Sequence, residues 1–201
     1  MARINNKYGT KKEAIIEAAA KLFYAQGFPA TTMRDLAINV GVEAASLYNH
    51  IRSKSEILEK ICFAVAHSFM NRMEEIDKSD QNSIHKLESL LRLHIRQMID
   101  NHEYVHVSDR EWRHLDEPYL SSYQDQRRVY RRRFAAIIEK GIATQEIRDV
   151  DAPTAVLIML HAISGIESWH RSKKRISGEL LEDNMVMILI EGMKEKKECD
   201  K

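Results

Sequence analysis

Apolar side chains return every three or four residues along most of this chain, the spacing of one face of an α-helix, and no run of strict apolar-polar alternation marks a strand. From Lys11, the positions Ala14, Ile15, Ala18, Leu22 and Phe23 keep this rhythm until Gly27, which predicts a first helix of about four turns. Thr32 followed by Asp35 has the form of an N-cap with an acidic partner, and it opens a short helix through Leu36, Ala37 and Val40 that Gly41 ends. A second short helix runs from Glu43 to His50. Ser53 with Glu56 is a capping box in front of a long amphipathic helix carrying Ile57, Leu58, Ile61, Val65 and Phe69 to about Asp77.

Beyond a polar link the rhythm resumes at Leu87, Leu90, Leu91, His94, Ile95 and Met98, and Ser108 with Glu111 gives a further capping-box signature. Pro118 separates this region from a helix over about 119–142. Asp151 followed by Pro153 predicts the start of a helix reaching about Ser172, apolar on nearly every side between Ala155 and Ile166. The last helix, about 178–197, places Leu181, Met185, Ile188, Leu189 and Met193 on one stripe. The pattern predicts an all-α fold of about nine helices, with a small N-terminal head and a larger helical body.

Composition agrees with helices. Seven glycines and three prolines in 201 residues are too few for the turns of a sandwich or barrel, and 30% of residues are charged. The formal net charge is only +1, which excludes a histone-like coat of positive charge. Residues 1–54 nevertheless hold eight basic and four acidic side chains, so they carry +4 and the remainder −3. The first quarter has the sign that meets a polyanion. The chain's first residues are basic with no apolar stretch behind them, and the longest apolar run, interrupted by His161, falls short of the ~20 residues of a membrane span. The expectation is a cytoplasmic protein with no membrane partner. Cys62 shares a helical face with Leu58, Val65 and Phe69 and reads as a small buried hydrophobe.

Two short helices joined by a glycine turn form a helix-turn-helix, in which the second helix enters the DNA major groove and the first braces it. Leu47 packs inward on this reading, whereas Ala44, Ala45, Ser46, Tyr48 and Asn49 offer methyls or hydrogen-bonding tips outward. Tyr48 and Lys54 reach phosphates, the amides beside Thr32 and Met33 offer an anion site, and Arg34 meets a guanine edge or a phosphate. His50 is expected as a plug in the three-helix core, with a phosphate contact as its other reading.

Gly27-Phe28, Thr32, Gly41-Val42, Leu47-Tyr48-Asn49-His50 and Lys54 stand in the order and spacing of the DNA-binding region of the TetR family of bacterial transcriptional regulators, which this chain resembles over about residues 10–60. The resemblance implies a homodimer bound to a palindromic double-stranded operator, acting as a repressor released by a small ligand, with a DNA-binding domain over 1–54 and a ligand-binding and dimerisation domain over 55–201. It implies that Thr32, Tyr48 and Lys54 hold the backbone while Arg34, Ala44, Ala45, Ser46 and Asn49 face bases, and residues 3–12 add a basic arm.

The penultimate helix, apolar all round, needs two partners. One face can line a cavity while the other, with the last helix, meets its copy across a two-fold axis, and Ala162 and Gly165 permit close approach. Residues 94–170 resemble, more loosely, the acyl-CoA-responsive subgroup of the family, through HIRQMI, the stretch around REWRHLDEPYL and IESWH. That resemblance implies an apolar acyl tail among Met98, Tyr123, Met159 and Trp169, with Arg127 and Arg131 among the basic groups meeting the phosphates of an acyl-CoA thioester. The arginines between 127 and 133 read equally as a solvated face paired with Asp125, Glu117 or Glu139.

His102 and His106 have the four-residue spacing that can share a metal on a helix, yet no second matched pair follows, so no metal site and no cofactor are expected. No nucleophile elbow, phosphate loop or paired carboxylate motif is present, and no enzymatic activity is expected. The competing function is a small-molecule or metal-sensing binding protein without sequence-specific DNA binding.

Overall fold

The computed structural model describes residues 10–172 and 176–194. Among them are ten α-helices: α1 Lys11–Gln26, α2 Met33–Val40, α3 Ala44–Tyr48, α4 Lys54–Lys78, α5 Ser83–Asp100, α6 His102–Arg110, α7 Tyr119–Ala143, α8 Ala152–Ser164, α9 Ile166–Arg171 and α10 Gly178–Glu191. A single 3-10 turn, Trp112–His114, sits between α6 and α7. The only extended pairing among the described residues is an isolated bridge between Ile147 and Lys194. The fold is all-α, and α8 and α9 are separated only by Gly165.

The chain divides into two compact units. The first comprises residues 1–69 and 100–127, the second 70–99 and 128–201. The unit that holds the helix-turn-helix therefore takes in more chain than the first 54 residues.

In the first unit, α1 packs on α2 and α6 through Ile15, Ala19, Ala20 and Phe23, which are all buried. Thr10 opens α1 with a reciprocal capping box to Glu13, and Gly27, at φ 86°, lets the chain turn away. Leu36 and Ala37 of α2, Leu47 of α3 and Ile57, Leu58 and Ile61 of α4 complete this core. Each such fully buried Leu or Ile stabilises by roughly 1.5–3 kcal/mol. Cys62 is fully buried among them, and burial pushes its thiol up to about 12, so it behaves as the small hydrophobe its helical face implies.

Two helical boundaries depart from the sequence pattern here. Ser108 does not cap a helix: it lies in the last turn of α6, and its hydroxyl bonds Tyr123 Oη at 2.6 Å. An S-x-x-E spacing also arises inside a helix, and a partner 15 residues away in sequence decided the outcome. The expected α4 capping box is present in altered form, since the Glu56 amide donates to Ser53 Oγ while its carboxylate accepts from the Arg52 amide.

In the second unit, Asp151 caps α8 by accepting from the Thr154 amide, with Pro153 in the first turn as its chemistry predicts. The expected single helix over 153–172 is interrupted at Gly165, whose amide turns back to the Ala162 carbonyl at 3.2 Å in the tighter i→i−3 manner. The expected last helix ends earlier, at Glu191, and residues 195–197 of its expected span lie outside the described residues.

The buried line of α10 is also displaced from the stripe read in the sequence. Glu182, Val186 and Ile190 face inward, whereas Ile188 is exposed and Leu181, Met185 and Leu189 are half-buried. The cause is ionic. Glu182 accepts from Arg96 Nε at 2.7 Å and from Arg92 Nη1 at 2.8 Å, both on α5, and Arg92 also holds Asp183 and Glu88. Burial draws the Glu182 carboxyl up, but the two guanidinium groups prevail and hold it below its ordinary value.

Candidate nucleic-acid interface

The reading head is built by α2, the Gly41 turn and α3. Thr32 and Asp35 form a reciprocal capping box: the Thr32 amide donates to Asp35 Oδ2 at 2.9 Å, and the Asp35 amide donates to Thr32 Oγ1 at 3.2 Å. The Thr32 hydroxyl and amide together hold the Asp35 carboxyl below its usual range. Gly41 takes a left-handed φ of 75°, and its amide bonds Ala37 and Ile38 oxygens, which ends α2 and redirects the chain into α3.

The fully buried Leu47 and Ile51 fix the rotation of α3 and the segment after it. That rotation leaves Ala44, Ala45, Tyr48 and Asn49 exposed and Ser46 half-buried, with Tyr48 53% exposed. Arg34 is exposed on α2, and Met33 is half-buried at its first position. These residues share one small head, as the spacing of the motif requires. The Thr32 amide is occupied by Asp35, so the amides of Met33 and Arg34 are the ones left at the start of α2 for an anion.

Lys54, expected at a phosphate, has its ammonium turned into the head. Its ammonium donates to the carbonyls of Phe28 at 2.8 Å, Thr31 at 2.9 Å and Pro29 at 3.2 Å, and lies 4.5 Å from the centre of the Phe28 ring. All three donors are engaged within the head. Lys54 thus ties the start of α4 to the corner between α1 and α2, a corner that also carries the Phe23–Phe28 edge contact at 5.2 Å. His50 is likewise not a core plug. It is half-buried and lines, with Tyr48, Asn49, Arg52 and Tyr119, an open groove of about 650 Å³. Lys12 lies on the same groove, bonded to Glu56 at 2.7 Å. The rest of the expected basic arm, residues 3–9, lies outside the described residues. Exposed Ile38 and Val42 were not singled out in the sequence; both lie on the head beside Gly41, where period-based reading treats an apolar side chain as core.

The residues expected to bind an effector fall in both units. Tyr123 and Arg127 come together in the first: Tyr123 is buried, and the Arg127 guanidinium lies 5.8 Å from its ring and 5.4 Å from that of Trp112. Arg127 also pairs with Asp109 at 2.8 Å. In the second, Met98 and Met159 are buried and Trp169 is half-buried, its indole donating to Ile176 O at 3.1 Å. The Met98 carbonyl meets His170 Nε2 at 2.8 Å. Arg131 is exposed, while Arg133 is paired with Asp77 at 2.5 Å, so the partners of the arginine run include Asp109 and Asp77.

His102 and His106 flank the Tyr24 ring at 5.3 and 4.8 Å, and no group of three or more metal-ligating side chains is assembled among the described residues. No helix among them is long and apolar enough to cross a membrane.

A capped bracing helix, a left-handed glycine turn and a pinned helix with small and polar residues outward define a helix-turn-helix DNA-binding regulator. The family model "Bacterial regulatory proteins, tetR family" matches residues 15–61, and "Tetracyclin repressor-like, C-terminal domain" matches residues 80–193. The chain belongs to the TetR family, and is a ligand-responsive, DNA-binding transcriptional regulator. It is 23% identical over 195 residues to the HTH-type transcriptional repressor KstR2 of Mycobacterium tuberculosis, covering 96% of this chain and 98% of that protein. The solved structure of the ketosteroid transcriptional regulator KstR2 of M. tuberculosis has the same fold, with a TM-score of 0.89 at 22% identity over 96% of this chain and 100% of that one. AibR, solved in complex with isovaleryl coenzyme A and operator DNA, superposes with a TM-score of 0.79 at 22% identity, covering 90% of this chain and 98% of that one.

Proposed function

We propose that this chain is a homodimeric repressor that binds a palindromic operator and is released by an acyl-CoA thioester or a similar hydrophobic acid. The observation that carries the DNA half is the rotation of α3. With Leu47 buried, Ala44, Ala45, Ser46 and Asn49 are presented to bases and Tyr48 to a phosphate, while Arg34 and the amides after Thr32 add contacts from α2.

The dimer reading is supported by an exposed apolar face on the last helices. Leu157 and Ile158 of α8 are 54% and 60% exposed, and Met187 and Ile188 of α10 are 56% and 67% exposed. Exposed apolar side chains on neighbouring positions of both helices suit an isologous contact between copies. No catalytic step and no metal belong to this reading.

The effector class is supported by two relatives: KstR2, named for ketosteroid regulation, and AibR, solved with isovaleryl coenzyme A. The residues offered for it are Met98, Tyr123, Arg127, Arg131, Met159 and Trp169. Effector binding shifts the population toward a state whose heads are mis-spaced for DNA, by as much as the ligand prefers that state. A thermal-shift series with acyl-CoAs of increasing chain length, free CoA, free fatty acids and divalent metals tests it. An acyl-CoA at 100 times its dissociation constant stabilises by ~2.7 kcal/mol, and free CoA by far less. A shift with metals alone would overturn the effector class.

A further inference from the structure

Five carboxylates lie from Thr10 to Glu56, and four of them have partners within the head. Glu13 closes the capping box with Thr10, and Glu17 pairs with Lys21 at 2.9 Å. Asp35 closes the box with Thr32, and Glu56 binds Lys12 and the Arg52 amide. Glu43 is the exception. It occupies the N-cap of α3 without capping it, its side chain is exposed, and it makes no side-chain hydrogen bond or ion pair among the described residues. Its backbone is nonetheless fixed, because its carbonyl accepts from the Ser46 and Leu47 amides at 2.9 and 3.2 Å.

The first residues of a recognition helix are those that meet base edges. Ala44 and Ala45 follow Glu43 and extend no further than a methyl, so Glu43 is the longest side chain at that end of α3. A carboxylate brought to a polyanion is repelled unless it meets a donor, and the donors on the major-groove floor are the exocyclic amines of cytosine and adenine. Adenine sets the N7 acceptor beside its amine, which repels a carboxylate; cytosine presents its N4 amine with no acceptor on the same edge.

We propose that Glu43 is a specificity-determining residue, accepting a hydrogen bond from a cytosine N4 amine in each operator half-site. The proposal rests on the head reading the major groove through α3. Glu43 rejects other bases at that position by leaving its carboxylate unpaired against the DNA, so it sharpens sequence choice at the expense of overall affinity.

Affinity selection of the full chain from a randomised duplex library, followed by sequencing, tests it with wild type, E43Q and E43A. Wild type enriches cytosine at one position per half-site by roughly tenfold or more. E43A loses that preference and keeps every other position unchanged. E43Q moves it toward adenine, because an amide both donates to N7 and accepts from N6. Circular dichroism melts of the variants match wild type, since the side chain has no partner within the fold. Unchanged base preferences in both variants, with uniformly tighter binding to all sequences, would overturn the proposal and leave Glu43 as a simple charge. A wild type that enriches no sequence would overturn the DNA reading itself, and this proposal with it.

Discussion

Replacing Lys54 with alanine removes three donors from the carbonyls of Phe28, Pro29 and Thr31. Charge-assisted hydrogen bonds of this kind, partly exposed, stabilise by about 1–3 kcal/mol in sum. A denaturation curve of Lys54→Ala should therefore shift to lower stability, while the slope of log affinity against log salt stays that of wild type. A slope lower by ~1 would mean that Lys54 reaches a phosphate after all. The contrast with Tyr48 explains what a sequence can disclose at this scale. Tyr48 lies next to Leu47 on a helix whose apolar side is evident, so its outward direction follows from periodicity. The partners of Lys54 are 23 to 26 residues away, on a loop whose path depends on Gly27 and Phe28, and no local pattern encodes that meeting. Ser108 failed as a cap for the same reason, its hydroxyl captured by Tyr123 from another helix.

Glycines set the joints between elements, and two of them should respond differently to the same substitution. Gly41 is left-handed at φ 75° with open space around a would-be Cβ, so Gly41→Ala costs only the conformational strain of about 1 kcal/mol, and Gly41→Asn recovers part of it. At Gly141 the backbone is ordinary, but a Cβ would lie 2.5 Å from Ile147 Cδ1 and 2.9 Å from Ser83 Cβ. Overpacking of that degree costs about 1–3 kcal/mol, and asparagine there should be worse than alanine. Urea denaturation of the four variants checks both; an asparagine rescue at Gly141 would refute the packing account. Gly41 was legible as a stop, since it follows an amphipathic run, whereas Gly141 looks like any residue inside a helical pattern.

The Glu182 cluster makes a prediction of opposite transparency. Its carboxyl is held below its ordinary value in the folded chain, so it contributes stability that is fully present above the unfolded value and is lost as pH falls through the folded one. Melting temperature should therefore drop on acidification through and below the usual carboxylate range. Glu182→Gln should be less stable at neutral pH and show a flatter acid limb; parallel curves for the two proteins would contradict the sign. Nothing in the local sequence marks Glu182, since its partners Arg92 and Arg96 come from α5, about 90 residues away.

At the scale of the whole chain, the helical class and the helix-turn-helix were legible because they rest on short-range spacing: caps, glycine stops and three-to-four-residue periods. The rotation of α10 was not, because it goes with the pairing of Glu182 to Arg92 and Arg96 of α5, which forms only when the second unit assembles. That rotation exposes Met187 and Ile188 on α10, while α8 exposes Leu157 and Ile158. Met187→Glu with Ile188→Glu should convert a dimer to a monomer in sedimentation, with helicity retained and operator affinity lowered at least tenfold. A double variant that remains dimeric would place the contact elsewhere.

The near-zero net charge averages over two regions of opposite sign, and the positive one holds the helix proposed to meet DNA. The most direct test of that assignment is capture of genomic fragments by the full chain at moderate salt. A two-fold symmetric sequence should be enriched, with half-sites about 34–36 Å or a multiple of that apart, and the enrichment should be lost when a binding acyl-CoA is added. Capture with no preferred sequence, or with a preference untouched by every acyl-CoA that shifts the thermal melt, would contradict it.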